Sequence, residues 1–143
     1  MILPVTNMQP AFDLKPITSY RTDVAIPGKG AVKEKLAGRE CVVIKTNGQT
    51  IIEWPVQTGV ADIYAITMKY FYGKEQPLSA KLQLIGAGNN MMPDEPVSFT
   101  FTREGKWNQF TVHTKSVINA GNYRVRLIII NAESLDISGI EIQ

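Results

Sequence analysis

The stretch from Trp107 to Gln143, WNQFTVHTKSVINAGNYRVRLIIINAESLDISGIEIQ, decides the fold class. It reads as strand, loop, strand, turn, strand. Phe110 and Val112 point opposite to Gln109, Thr111 and His113. After the Ala120-Gly121-Asn122 turn, Tyr123, Val125, Leu127 and Ile129 alternate with Arg124 and Arg126. A period of two marks a strand with one buried face. In the last strand the parity breaks, with Leu135 and Ile137 on one side and Ile140 and Ile142 on the other. A bulge at Ser138-Gly139 is expected to return both pairs to a single apolar face.

The same alternation recurs upstream. Tyr64, Ile66, Met68, Tyr70 and Tyr72 share one face against Thr67 and Lys69, and Val97, Phe99 and Phe101 alternate with Ser98, Thr100 and Thr102. Strands are expected at about 18–26, 41–46, 49–57, 62–72, 79–86, 97–102, 107–114, 122–130 and 135–142. Short strands with one apolar face each must pack face to face, so the fold class is all-β, a two-sheet antiparallel sandwich. Pro4, Pro10 and Pro16 mark residues 1–16 as a connector, leaving 17–143 as the domain. The turn-rich GAGNNMMPDEP at 86–96 belongs at one end of the sandwich.

Composition narrows the function. At 143 residues the chain builds one core, and its net charge of +2 comes from scattered Lys and Arg, so nucleic acid is not an expected partner. No run of about 18 apolar residues exists to span a bilayer, and MILPVTNMQP lacks the pattern of a signal peptide. Cys41, the single cysteine, stands between Glu40 and Val42 and is expected to be a buried thiol.

Catalytic parts are few. His113, the one histidine, stands on the polar face of its strand without the positioned partners that acid–base or nucleophilic work needs. Asp94-Glu95 reads as solvated loop charge, and Gly86-Ala87-Gly88 lacks the helix of a phosphate loop. Recognition by surface remains. Aromatic platforms framed by amides, carboxylates and guanidinium groups suit a sugar, whose ring offers a C–H patch bordered by hydroxyls. Trp107, Trp54, Tyr72 and Phe71 are the candidate platforms. Trp54 shares the parity of Ile52 and Val56 and is expected in the core, whereas for Trp107 core and ligand contact both stay open.

These residues fall in a familiar order. IIEWPV is followed by Gly59, Tyr64 and Tyr70, then by Gly105, Trp107 and Phe110 in a Gly-x-Trp-x-x-Phe pattern. Ala120, Gly121, Arg126 and Leu127 come next, and a terminal Leu-Asp-Ile-x-x-Ile-Glu-Ile closes the chain. Over about residues 35–143 this resembles the galactose-binding-like jelly-roll sandwich of carbohydrate-binding modules of families 6 and 35. It is more similar still to the C-terminal module of some bacterial family 2 glycoside hydrolases of the β-galactosidase type.

The resemblance implies a non-catalytic carbohydrate-binding module. Such a module serves the catalytic domain of a parent glycoside hydrolase in a secreted, periplasmic or cell-surface setting. The alternative is a structural sandwich that packs on the parent hydrolase and binds no sugar. The resemblance also implies one sugar site in the loops at an end of the sandwich. Trp107 matches the aromatic of the Gly-x-Trp motif, and Asp136 falls where an Asn commonly sits. The expected carbohydrate-binding set is Trp107, Asp136, Asn131 and Arg39. The second aromatic of the family pattern has no counterpart between Leu36 and Glu40. A structural calcium is common in these modules, but the matching Arg21-Thr22-Asp23 puts a cation in place of the first carboxylate, so no metal or other cofactor is expected.

Overall fold

The computed structural model describes residues 17–21, 25–36, 38–86, 89–90, 94–103 and 106–143. The strands are β1 (Thr18–Arg21), β2 (Ile26–Pro27), β3 (Ala31–Leu36), β4 (Arg39–Ile44), β5 (Gln49–Thr58), β6 (Ala65–Tyr72), β7 (Leu78–Gly86), β8 (Asn89–Asn90), β9 (Glu95–Phe99), β10 (Asn108–His113), β11 (Gly121–Ile130) and β12 (Leu135–Ile142). They form two sheets. The first runs β10-β6-β12-β4-β3, with β1 also paired to β12; the second runs β2-β5-β11-β7-β8, with β9 also paired to β7. The chain is thus an antiparallel β-sandwich.

Alternating sequence makes this architecture. In β5, QTIIEWPVQT buries every second residue from Thr50 to Thr58, and β6 buries Ile66, Met68, Tyr70 and Tyr72. Those faces meet Leu82 and Leu84 of β7 and Val125, Leu127 and Ile129 of β11 in one core. Trp54 lies fully buried among them. Tyr70 meets Phe99 edge-on at 4.8 Å and 87°, and Phe99 meets Phe110 at 5.4 Å and 73°. Such edge-to-face pairs set the electropositive rim of one ring against the face of another.

The expected bulge is present. On β12, Ile137 pairs with Tyr70 and Gly139 with Lys69, so Ser138 is the extra residue. Leu135, Ile137, Ile140 and Ile142 are all buried as a result. Cys41 is fully buried.

Three expectations are corrected. β3, AVKEKL, is a strand that hydrophobic alternation does not announce; it is the sheet's edge, where Lys and Glu side chains stay in water. The single strand expected at 18–26 is instead β1 on the first sheet and β2 on the second. Phe101 is 46% exposed, because β9 ends at Phe99. Thr102 turns inward in its place, its hydroxyl accepting from the Tyr72 N–H at 2.9 Å and donating to the Tyr72 carbonyl at 3.2 Å. The connector 1–16, Thr22, Asp23 and much of the 86–96 excursion lie outside the described residues.

Replacing Trp54 with Ala removes the largest fully buried side chain and leaves a cavity between the sheets. The expected loss is about 3–5 kcal/mol of unfolding free energy, read as a lowered urea midpoint at unchanged slope.

Candidate functional site

The register of the first sheet aligns one row of outward side chains. Asn108 pairs with Tyr70, which brings Trp107, just before β10, alongside Phe71 on β6. Phe71 pairs with Asp136 on β12, Asp136 with Val43 on β4, and Val43 with Val32 on β3. Each of Phe71, Asp136 and Val43 is flanked along its strand by buried residues, so the three must face outward, and each is partly exposed. Val32 is 40% exposed.

Trp107 stands outside the core cluster. It is partly exposed and meets Phe71 at 6.2 Å between centroids and 64° between planes. Together these rings form an aromatic shoulder at one end of the row. Asp136 is the next side chain along, about 10 Å from Trp107 at two strand spacings. Burial pushes its carboxyl above the ordinary carboxylate range; nearby Glu34 pushes the same way, and Lys45 opposes both. Lys45 Nζ is itself bonded to Glu34 at 3.0 Å.

The loops that hold this end are braced by their backbones. The Lys45 N–H donates to the Gly30 carbonyl at 2.6 Å. Gly30 has φ 87°, and a Cβ there would collide with the Thr46 methyl, so only glycine lets the two loops close on each other. The Asn131 N–H donates to the Asn47 carbonyl at 3.1 Å, and Asn131 itself adopts the left-handed conformation, φ 59°.

Of the sequence-derived set, Trp107 and Asp136 share the row, and exposed Asn131 lies in the turn just before β12, at the same end of the sandwich. Arg39 does not join them. It opens β4 four residues before Val43, about 13 Å along the strand, and its side chain is not among those described. Two of the four candidate aromatic platforms, Trp54 and Tyr72, are buried in the core. Sequence reading did not single out Glu34, Lys45, Val43 or Val32; the pairing of β4 with β12 brings Val43 and Lys45 to Asp136, and the pairing of β3 with β4 adds Val32 and Glu34. Where the resemblance places a calcium site, Asp23 is outside the described residues, and no group of three His, Cys, Asp or Glu gathers among those described. On the outer face of the second sheet, a cavity of about 450 Å³ lined by Tyr20, Gln57, Ile85, Asn122 and Arg124, among others, contains none of the sequence-derived site residues.

The sandwich is similar in fold to solved carbohydrate-binding modules of families 35 and 6. A family 35 module from Clostridium thermocellum matches the chain with a TM-score of 0.72 and 20% identity, over 89% of this chain and 97% of the module. A family 6 module from Cellvibrio mixtus lichenase 5A, in complex with cellotriose, matches with a TM-score of 0.64 and 15% identity, over 88% and 95%. An Arthrobacter globiformis isomalto-dextranase complexed with panose matches with a TM-score of 0.71 and 17% identity, over 88% of this chain and 23% of the enzyme. Identities this low establish a shared fold. No protein-family model and no curated protein matches the chain.

The raised Asp136 carboxyl has a stability consequence. The folded chain holds this proton more tightly than the unfolded chain does. The associated stability is fully present below the unfolded pKa and is lost as pH rises through the higher folded value. Asp136→Asn is therefore expected to unfold at higher urea than the parent at neutral pH, with the advantage shrinking toward strongly acid pH. Urea midpoints of both proteins across that range check it.

Proposed function

We propose that this chain is a non-catalytic carbohydrate-binding module, the accessory C-terminal domain of a glycoside hydrolase similar to the family 2 β-galactosidases. One observation carries the reading: on a sandwich shared with sugar-binding modules, Trp107 and Phe71 form a partly exposed aromatic shoulder beside the Asp136 carboxylate. A sugar ring lays its C–H face on an aromatic surface and donates hydroxyl protons to a carboxylate. Asn131 adds an amide at the same end. Affinity at one such shoulder is modest, because a shallow site recovers little beyond the cost of association. The benefit to the parent enzyme comes from effective concentration. A polysaccharide too large to enter a cell is met outside the cytoplasm, which favours a secreted, periplasmic or cell-surface setting.

A second reading, a structural sandwich that packs on the parent hydrolase and binds no sugar, draws on the opposite end of the molecule. There Val60, Ile63 and Val117 are 52%, 43% and 60% exposed around the Asp62–Ile118 bridge. Clustered apolar side chains of this kind suit a domain contact.

A glycan array and affinity gels with galactosides, xylans, mannans and glucans separate the two. The expected result is retention on at least one glycan and a loss of about tenfold or more in Trp107→Ala, which stays folded because the side chain stands outside the core. A blank across all four glycan classes would favour the structural role.

A further inference from the structure

The edge of a β-sheet offers a row of backbone donors and acceptors to any other strand, and proteins usually blunt it with charge, proline or short length. Most described edges of this sandwich are blunted in that way. β3 carries Lys33, Glu34 and Lys35, β9 carries Pro96, and β2 and β8 are two residues long. Beyond β2, the open stretch of β5 contains Pro55, and the Tyr20 hydroxyl accepts from the Gln57 N–H at 3.0 Å and donates to the Gln57 carbonyl at 3.3 Å. β10 is the exception. Its NQFTVH contains no proline, lysine or carboxylate, and no bulge interrupts its pairing with β6.

The direction of its backbone groups follows from one bond. The Thr114 N–H donates to the Tyr64 carbonyl at 2.9 Å, which turns the even-numbered residues of this segment toward β6. The N–H and C=O groups of Gln109, Thr111 and His113 therefore point away from the sheet, and all three residues are exposed. The Gln109 N–H is held locally by the Asn108 side-chain oxygen at 2.9 Å, whereas those of Thr111 and His113 meet no partner among the described residues. The core also runs out at this strand, since Phe110 and Val112 pack against it but are only partly buried.

The strand that fits such an edge must alternate in the same way, and β10 itself does. In an antiparallel pairing about a two-fold axis through Thr111, Phe110 of one copy stands opposite Val112 of the other, Gln109 opposite His113, and Thr111 opposite Thr111. Apolar side chains then cover apolar ones on the inner face, polar side chains meet polar ones on the outer face, and no like charges are opposed. We propose that two copies of this chain join edge to edge through β10, continuing the first sheet across the two-fold axis at Thr111. Both Trp107 side chains then stand on the same face of the joined sheet. Bivalence would raise the avidity of the sugar-binding reading above, on which the pairing itself does not rest.

Sedimentation of the full chain over a concentration series tests the pairing, with Thr111→Pro, Thr111→Cys and Gln109→Cys as variants. The parent chain is expected to pass from 15.9 kDa toward twice that mass as concentration rises. Thr111→Pro removes an outward N–H and leaves the bonds to β6 in place, so it is expected to weaken dimerisation about tenfold or more. Thr111→Cys is expected to give a disulfide-linked dimer on mild oxidation, because directly paired Cα atoms about 5.5 Å apart suit a disulfide. Gln109→Cys is expected to give none, since its two copies lie about 14 Å apart along the joined edges. Cys41 is fully buried and does not compete. Monomers at every concentration would leave this edge to a strand of another protein and overturn the self-pairing. A dimer untouched by Thr111→Pro, or equal cross-linking at positions 109 and 111, overturns it as well. Should Thr111→Pro fail to fold, the two cysteine variants decide the same question.

Discussion

The bulge at Ser138 in β12 is the constraint on which the rest depends. β12 lies inside the first sheet, between β6 on one edge and β4 and β1 on the other. Its apolar residues change parity halfway along, and a regular strand would turn either Leu135 and Ile137 or Ile140 and Ile142 into water. One extra residue keeps all four buried. The same adjustment leaves Asp136 and Glu141 both facing outward. Core formation and the position of the central polar group of the candidate site are thus consequences of one backbone irregularity.

Around Asp136 the energetics pull in opposite directions. Flanking Phe71 and Val43 remove water from the carboxylate, and Glu34 adds like charge. Both disfavour ionisation, and Lys45 relieves this in part. A group kept under such tension is poorly explained as a support for folding, because the fold is weakened when it ionises. The backbone bonds that tie Gly30 to Lys45 and Asn47 to Asn131 hold the surrounding loops in place, so the face is preorganised.

Much of this was legible in the chain. Parity in YAITMKY, NYRVRLIII and LDISGIEI located central strands and the bulge, since a buried face writes itself into every second residue. Trp54 was readable as core from its neighbours Ile52 and Val56. Edges were less legible. AVKEKL pays little attention to alternation because an edge strand buries few side chains, and Phe101 broke the expected pattern where its strand ended early. Arg39, an expected site residue, opens β4 about 13 Å along the strand from Val43.

The sequence by itself determined the all-β class and the inward faces, because alternation is a property of neighbours along the chain; Trp107 and Asp136 were singled out by the family resemblance. Only the tertiary structure decided that Trp107 leans on Phe71, that Phe71 stands beside Asp136, and that Glu34, Lys45, Val43 and Val32 continue the same face. Those partners come from strands far apart in sequence. Their meeting is set by strand order and register, which depend on how whole sheets pair and which no local pattern contains.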